Sequence, residues 1–68
     1  MRLAQFHQLV ADEFGPVLGR QHVSSHVLAE YGATPAQLLE QGVDMRRIWW
    51  ALCRDFEVPQ SRWLGEDY

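Results

Sequence analysis

Between Met45 and Phe56 the apolar residues Met45, Ile48, Trp49, Leu52 and Phe56 recur at spacings of three and four, which on a helix puts all five on one face. A chain of 68 residues has room for one core, because one so short buries only about 60% of the surface it exposes when unfolded. This stripe is the strongest periodic signal in the sequence, so the helix that carries it is expected to anchor that core. The remaining segments must supply the elements that cover it.

Leu3, Phe6, Val10 and Phe14 repeat the same period and predict a first helix with one buried face, ended by Gly15 and Pro16. Pro16 can equally open the next helix. From Val17 to Tyr31 a stripe of Val23, Val27, Leu28 and Tyr31 predicts a second helix, weakened in the middle by Gly19 and Ser24-Ser25 and closed by Gly32. Thr34-Pro35-Ala36-Gln37 reads as a capping box with proline at the first helical position, starting a short third helix that runs to about Gln41. Gly42-Val43-Asp44 forms the turn, with Asp44 as the cap of the fourth helix, and Val58-Pro59 stops that helix.

The expected fold is therefore all-α: a small single-domain bundle of three to four short helices, with a helix-turn-helix-like corner between the last two. Helices one, two and four supply its core, and the third braces the fourth. The domain is expected to span residues 1–59. Residues 60–68 hold Trp63 and Leu64 without a sustained period and read as a docked turn or a loose C-terminal tail.

Composition narrows the function classes. Apolar residues make up 47% of the chain, too many for a disordered segment. The formal charge is −3 and arginine supplies all six cations, so the molecule as a whole repels polyanions and any nucleic-acid contact must rest on a local patch. No apolar run approaches the ~20 residues needed to span a bilayer. The single cysteine, Cys53, has no intrachain partner and the first residues lack the pattern of a secretory signal, so the expected location is cytoplasmic, with no membrane role.

Several stretches together carry a resemblance: Met1-Arg2-Leu3, Phe14-Gly15-Pro16, His26-Val27-Leu28-Ala29-Glu30, Gly42-Val43-Asp44, Ile48-Trp49, Cys53 and Phe56-Glu57-Val58-Pro59. In this order, over nearly the whole chain, they resemble the actinobacterial family called domain of unknown function 3046. The resemblance implies a short helical protein without an assigned activity, in a genetic setting beside recombinase genes and so near DNA repair. Two positions depart from the family's habit: His7 stands where an aromatic is usual, and Trp50 where a charged residue is usual.

His22 and His26, four apart, have the spacing at which two imidazoles on a helix grip one metal ion, but the general-base glutamate of the HExxH motif and any further ligand set are missing. Ordinary surface or cap histidines are the expected reading, with no metal and no cofactor. His7, between Phe6 and Val10, is expected to be half-buried and to help packing. Cys53, on the edge of the fourth helix's apolar face, is expected to behave as a small inert hydrophobe, since no base is placed to activate it.

Trp49 and Trp50 cannot both face inward, because helix neighbours are rotated by about 100°. With Trp49 in the core stripe, Trp50 lines up with Arg46 and Arg54 in an exposed row, and Arg47 adjoins it. Exposed tryptophan and arginine are the residue types most enriched in binding hot spots. Arg46, Arg47, Trp50 and Arg54 are accordingly the candidate partner-binding surface of a non-enzymatic interaction module, its partner a protein not identified by the sequence or a second copy of the chain. The alternative is a helix-turn-helix-type DNA-binding accessory protein, less favoured because cations to neutralise phosphates are few and Leu38 is bulky where close helix crossing wants a small side chain.

Overall fold

In the computed structural model, which describes residues 1–63, Asp44 opens the element around which the rest packs. Its Oδ1 accepts from the backbone N–H of Arg46 at 3.1 Å and caps α4, Met45–Asp55, satisfying one of the donors that a helix start leaves unpaired. Ile48, Trp49, Ala51, Leu52 and Cys53 of α4 are buried, a band wider than the stripe its spacing predicts. Met45 and Phe56 lie at the ends of that band and are only half-buried.

The first helix, α1 (Leu3–Phe14), contributes Phe6, Leu9 and Val10 to the core. Leu3, expected in the same face, is 50% exposed in the first turn of the helix. Gly15, at φ 87°, makes the corner into α2 (Pro16–Ser25), whose Pro16 needs no helical hydrogen bond at that position. The two helices meet closely at Gly19. A Cβ there would lie 2.8 Å from Val10 Cγ1 and 3.2 Å from the Val10 carbonyl oxygen.

The second helix ends at Ser25 and does not continue to Tyr31. His26 is extended, and from Leu28 the chain folds into a tight turn in which the Leu28 N–H meets the Ala33 carbonyl at 2.9 Å and the Gly32 N–H meets the Leu28 carbonyl at 2.8 Å. Two physical causes converge. The Ser24 hydroxyl bonds back to the Arg20 carbonyl at 3.0 Å, a competition with the backbone that weakens a helix end, and the Ala29 N–H is taken by a carboxylate of α4. Leu28 stays fully buried, whereas Val27, expected in its stripe, is 56% exposed once the helical period has stopped.

The capping box at Thr34 is as the sequence predicts: Thr34 Oγ1 accepts from the Gln37 N–H at 3.2 Å, and Gln37 Oε1 accepts from the Thr34 N–H at 2.9 Å. It opens α3 (Pro35–Glu40), after which Gly42, at φ 80°, turns the chain into Asp44. This is the helix-turn-helix-like corner. The bundle is closed by α1 packing on α2 and α4, while α3 packs on both α2 and α4. Among the described residues no helix is long and apolar enough to cross a membrane.

Past Pro59 the chain forms a 3-10 turn, Gln60–Arg62. Arg62 grips Glu13 of α1 through two parallel hydrogen bonds of 3.1 Å, and the Trp63 indole N–H donates to the Val58 carbonyl at 2.7 Å. The indole N–H of the buried Trp49 donates to the Trp63 carbonyl, so this turn supplies the acceptor that a buried tryptophan needs. Of the stretch 60–68, residues 64–68 lie outside the described residues.

Candidate functional site

The four residues singled out on α4 differ in what holds them. Arg46 and Arg47, in its first turn, are exposed, and among the described residues neither side chain pairs with a carboxylate. Arg54, in the last turn, forms an ion pair with Glu30, and its guanidinium carbon stands 6.0 Å above the Trp63 ring. Both ends of that pair are about half-exposed, so it is weak, and its geometric effect is to hold Arg54 against its own chain.

Trp50 is half-buried and packed against the core, where an exposed position was expected. The covered band on α4 is wider than the predicted stripe, taking in Ala51 and Cys53, and Trp50 lies at its margin. The row therefore divides into a first turn whose cations are open to solvent and a last turn engaged within the fold.

The histidines lie elsewhere. His26 Nε2 is 2.8 Å from Asp55 Oδ2, and His22 stacks on Phe56 with ring centroids 4.2 Å apart and planes 26° from parallel. Phe14 meets both the His22 and the Phe56 ring edge-on. The pair is thus built into an aromatic cluster joining α1, α2 and the end of α4, and among the described residues no three His, Cys, Asp or Glu side chains converge on a point. His7 is exposed, its ring edge-on to Phe6 at 5.5 Å, and is not half-buried as expected, since it lies on the solvent side of α1.

Asp55 is the residue that sequence reasoning missed. Burial pushes its carboxyl up, but the hydrogen bonds from His26 and the Ala29 N–H, together with the charges of His26 and Arg54, outweigh this and hold it below the usual carboxylate range. A signal did exist: an acidic residue in the last turn of a helix opposes the helix dipole and calls for a compensating partner. Cys53 is fully buried, and burial, with the Glu13 charge adding to it, pushes its thiol up to about 12. It is a protonated, inert packing group at neutral pH.

These features define a small all-helical domain built on a central fourth helix, with an open arginine pair at the start of that helix. The chain belongs to the family described as Protein of unknown function (DUF3046), which it matches over residues 1–61. Over 37 residues, 53% of this chain, it is 51% identical to a protein of Mycobacterium tuberculosis (strain ATCC 25618 / H37Rv) that bears the provisional name envelope-preserving system protein. The matched stretch covers 13% of that protein, so the chain corresponds to a small part of its relative. No solved structure matches.

Proposed function

We propose that the protein is a non-enzymatic interaction module that binds a protein partner through the first turn of α4. The observation that carries this reading is the contrast among the arginines: Arg54 and Arg62 are each engaged by a carboxylate of the chain, whereas Arg46 and Arg47, adjacent and exposed, are not among the described residues. The half-exposed Trp50 lies one turn further along and extends the surface with an apolar edge. A cytoplasmic location agrees with the buried, unpaired Cys53. The mycobacterial relative's name adds envelope preservation as the setting in which to seek the partner.

The experiment is capture of a partner from native lysate by the wild-type chain and by Arg46→Ala/Arg47→Ala. The wild type should retain a specific protein that the double variant loses, while the helical circular dichroism of both is the same. Equal capture by the two would refute the reading.

One observation favours a second reading. In the corner formed by α3 and α4, the exposed arginines fall at the start of the second helix, the position that enters the major groove in helix-turn-helix proteins. Against it stands the net charge of −3. Binding to duplex DNA that falls steeply with salt would support it.

A further inference from the structure

A cleft of about 510 Å³ runs between α1 and α2, within the size range of small-molecule sites. Val10, Ala11, Pro16, Gly19 and Val23 give it apolar walls, and the two remaining lining residues, His7 and Arg20, are its polar groups. Val10 and Val23 are buried core residues, and Val10 meets the backbone of Gly19 directly. The floor is therefore part of the packed interior, so a ligand covering it removes apolar surface from water without first ordering the protein.

The charge of the lining selects the ligand. No carboxylate lines the cleft, and its one permanent charge is the Arg20 guanidinium. Arg20 is exposed and pairs with no carboxylate among the described residues. Its Nε donates to the Pro16 carbonyl at 3.2 Å, a bond between two lining residues that holds the guanidinium at the cleft. That leaves its terminal nitrogens, which take no partner among the described residues, to meet an anion. His7, exposed and edge-on to Phe6, adds a ring nitrogen as a second donor. The nearest acid in sequence to the lining of α1, Asp12, is exposed and takes a hydrogen bond from Gln8 at 2.7 Å.

We infer that this cleft binds a small carboxylic acid with an apolar tail, the tail lying over Val10, Ala11 and Val23 and the carboxylate meeting Arg20 and His7. One guanidinium matches one carboxylate in planar, two-point geometry, whereas a phosphate monoester, near two negative charges, would call for more cations than the lining holds. The proposal goes beyond the interaction surface on α4. Arg46 and Arg47 do not line the cleft, so either reading can fail without the other.

The test is titration of the full isotope-labelled chain with octanoate below its micelle concentration, followed by backbone amide shifts. Saturable shifts should cluster at His7, Ala11, Gly19, Arg20 and Val23. Octanol, which keeps the tail without the charge, and acetate, which keeps the charge without the tail, should each produce far smaller shifts at the same concentration. Arg20→Gln, at an exposed site, should weaken octanoate about tenfold while the helical circular dichroism and melting temperature stay as in the wild type. Ala11→Leu, at a half-buried site, should block the cleft and abolish the clustered shifts. Non-saturating shifts scattered over the surface would overturn the inference, as would equal affinity for octanol or for octyl phosphate. Octanoate binding unchanged in a folded Arg20→Gln would overturn it as well, whatever the fate of Ala11→Leu.

Discussion

A single carboxylate oxygen, Oδ2 of Asp55, holds both the Nε2 of His26 at 2.8 Å and the backbone N–H of Ala29 at 3.0 Å. His26 and Asp55 stand 29 positions apart in the sequence, and their contact fixes where the chain leaves α2 relative to the end of α4. The stop of α2 is a tertiary event that no residue within α2 specifies alone.

Acid should expose this tie. Asp55 is held below the usual carboxylate range, so its contribution to stability is fully present above the unfolded value near ~4 and is lost as pH falls through the lower folded value. Asp55→Asn should cost about 1–2 kcal/mol at neutral pH. Urea unfolding of the variant should also vary less with pH below ~4 than that of the wild type. Parallel curves for the two proteins would show that the carboxylate contributes nothing specific.

Glu57 occupies the left-handed position after α4, at φ 57°, where the Val58 N–H returns to the Cys53 carbonyl and the Glu57 N–H to the Arg54 carbonyl. Glycine is usual there, and a negative side chain at a helix C-terminus opposes the dipole. Glu57→Gly should therefore stabilise the protein by about 1 kcal/mol. Glu57→Ala, which removes the charge but keeps the strained backbone, should gain less. A melting temperature unchanged by the glycine would mean that the backbone there bears no cost.

Close contact of α1 with α2 depends on the missing Cβ at Gly19. Although alanine favours a helix by about 1 kcal/mol, its methyl would press on Val10, including the carbonyl oxygen, which cannot yield as a side chain can. Gly19→Ala should be net destabilising by about 1–2 kcal/mol. In a double-mutant cycle with Val10→Ala the two changes should cost less together than the sum of each alone, and strict additivity would place the strain elsewhere.

The adjacent indoles should respond differently to truncation. Trp49, 1% exposed, should cost about 3–5 kcal/mol as alanine, enough to unfold a domain whose core supplies little more than that. Trp50→Ala should cost about 1–2 kcal/mol, above the usual surface range and well below its neighbour. Thermal melts by circular dichroism separate them, and equal losses would show that Trp50 is as deeply built in as Trp49.

What the sequence showed and what it hid follow the range of the interactions. The cap at Asp44, the capping box at Thr34 and the corners at Gly15 and Gly42 were legible because each is decided within a few residues. Trp49 was identified as the inward indole because the stripe on α4 spans three turns. Trp50 was misplaced because the width of the covered band depends on how the other helices pack on α4, which the sequence of α4 does not encode. The open arginines Arg46 and Arg47 could be foreseen, whereas the engagement of Arg54 by Glu30 could not, being a meeting of residues 24 positions apart. The same holds for Arg62 and Glu13, 49 positions apart.

The hydrogen bond from the Trp49 indole to the Trp63 carbonyl has a bearing on synthesis. The central helix meets its last acceptor only when the chain has been made through residue 63, and α4 itself emerges after α1, α2 and α3. The earlier helices thus leave the ribosome with their apolar faces waiting for a centre, and the core closes only once residue 63 has been made. Stalling or truncation before Trp63 would release a chain with an unsealed core, a substrate for chaperones and proteases.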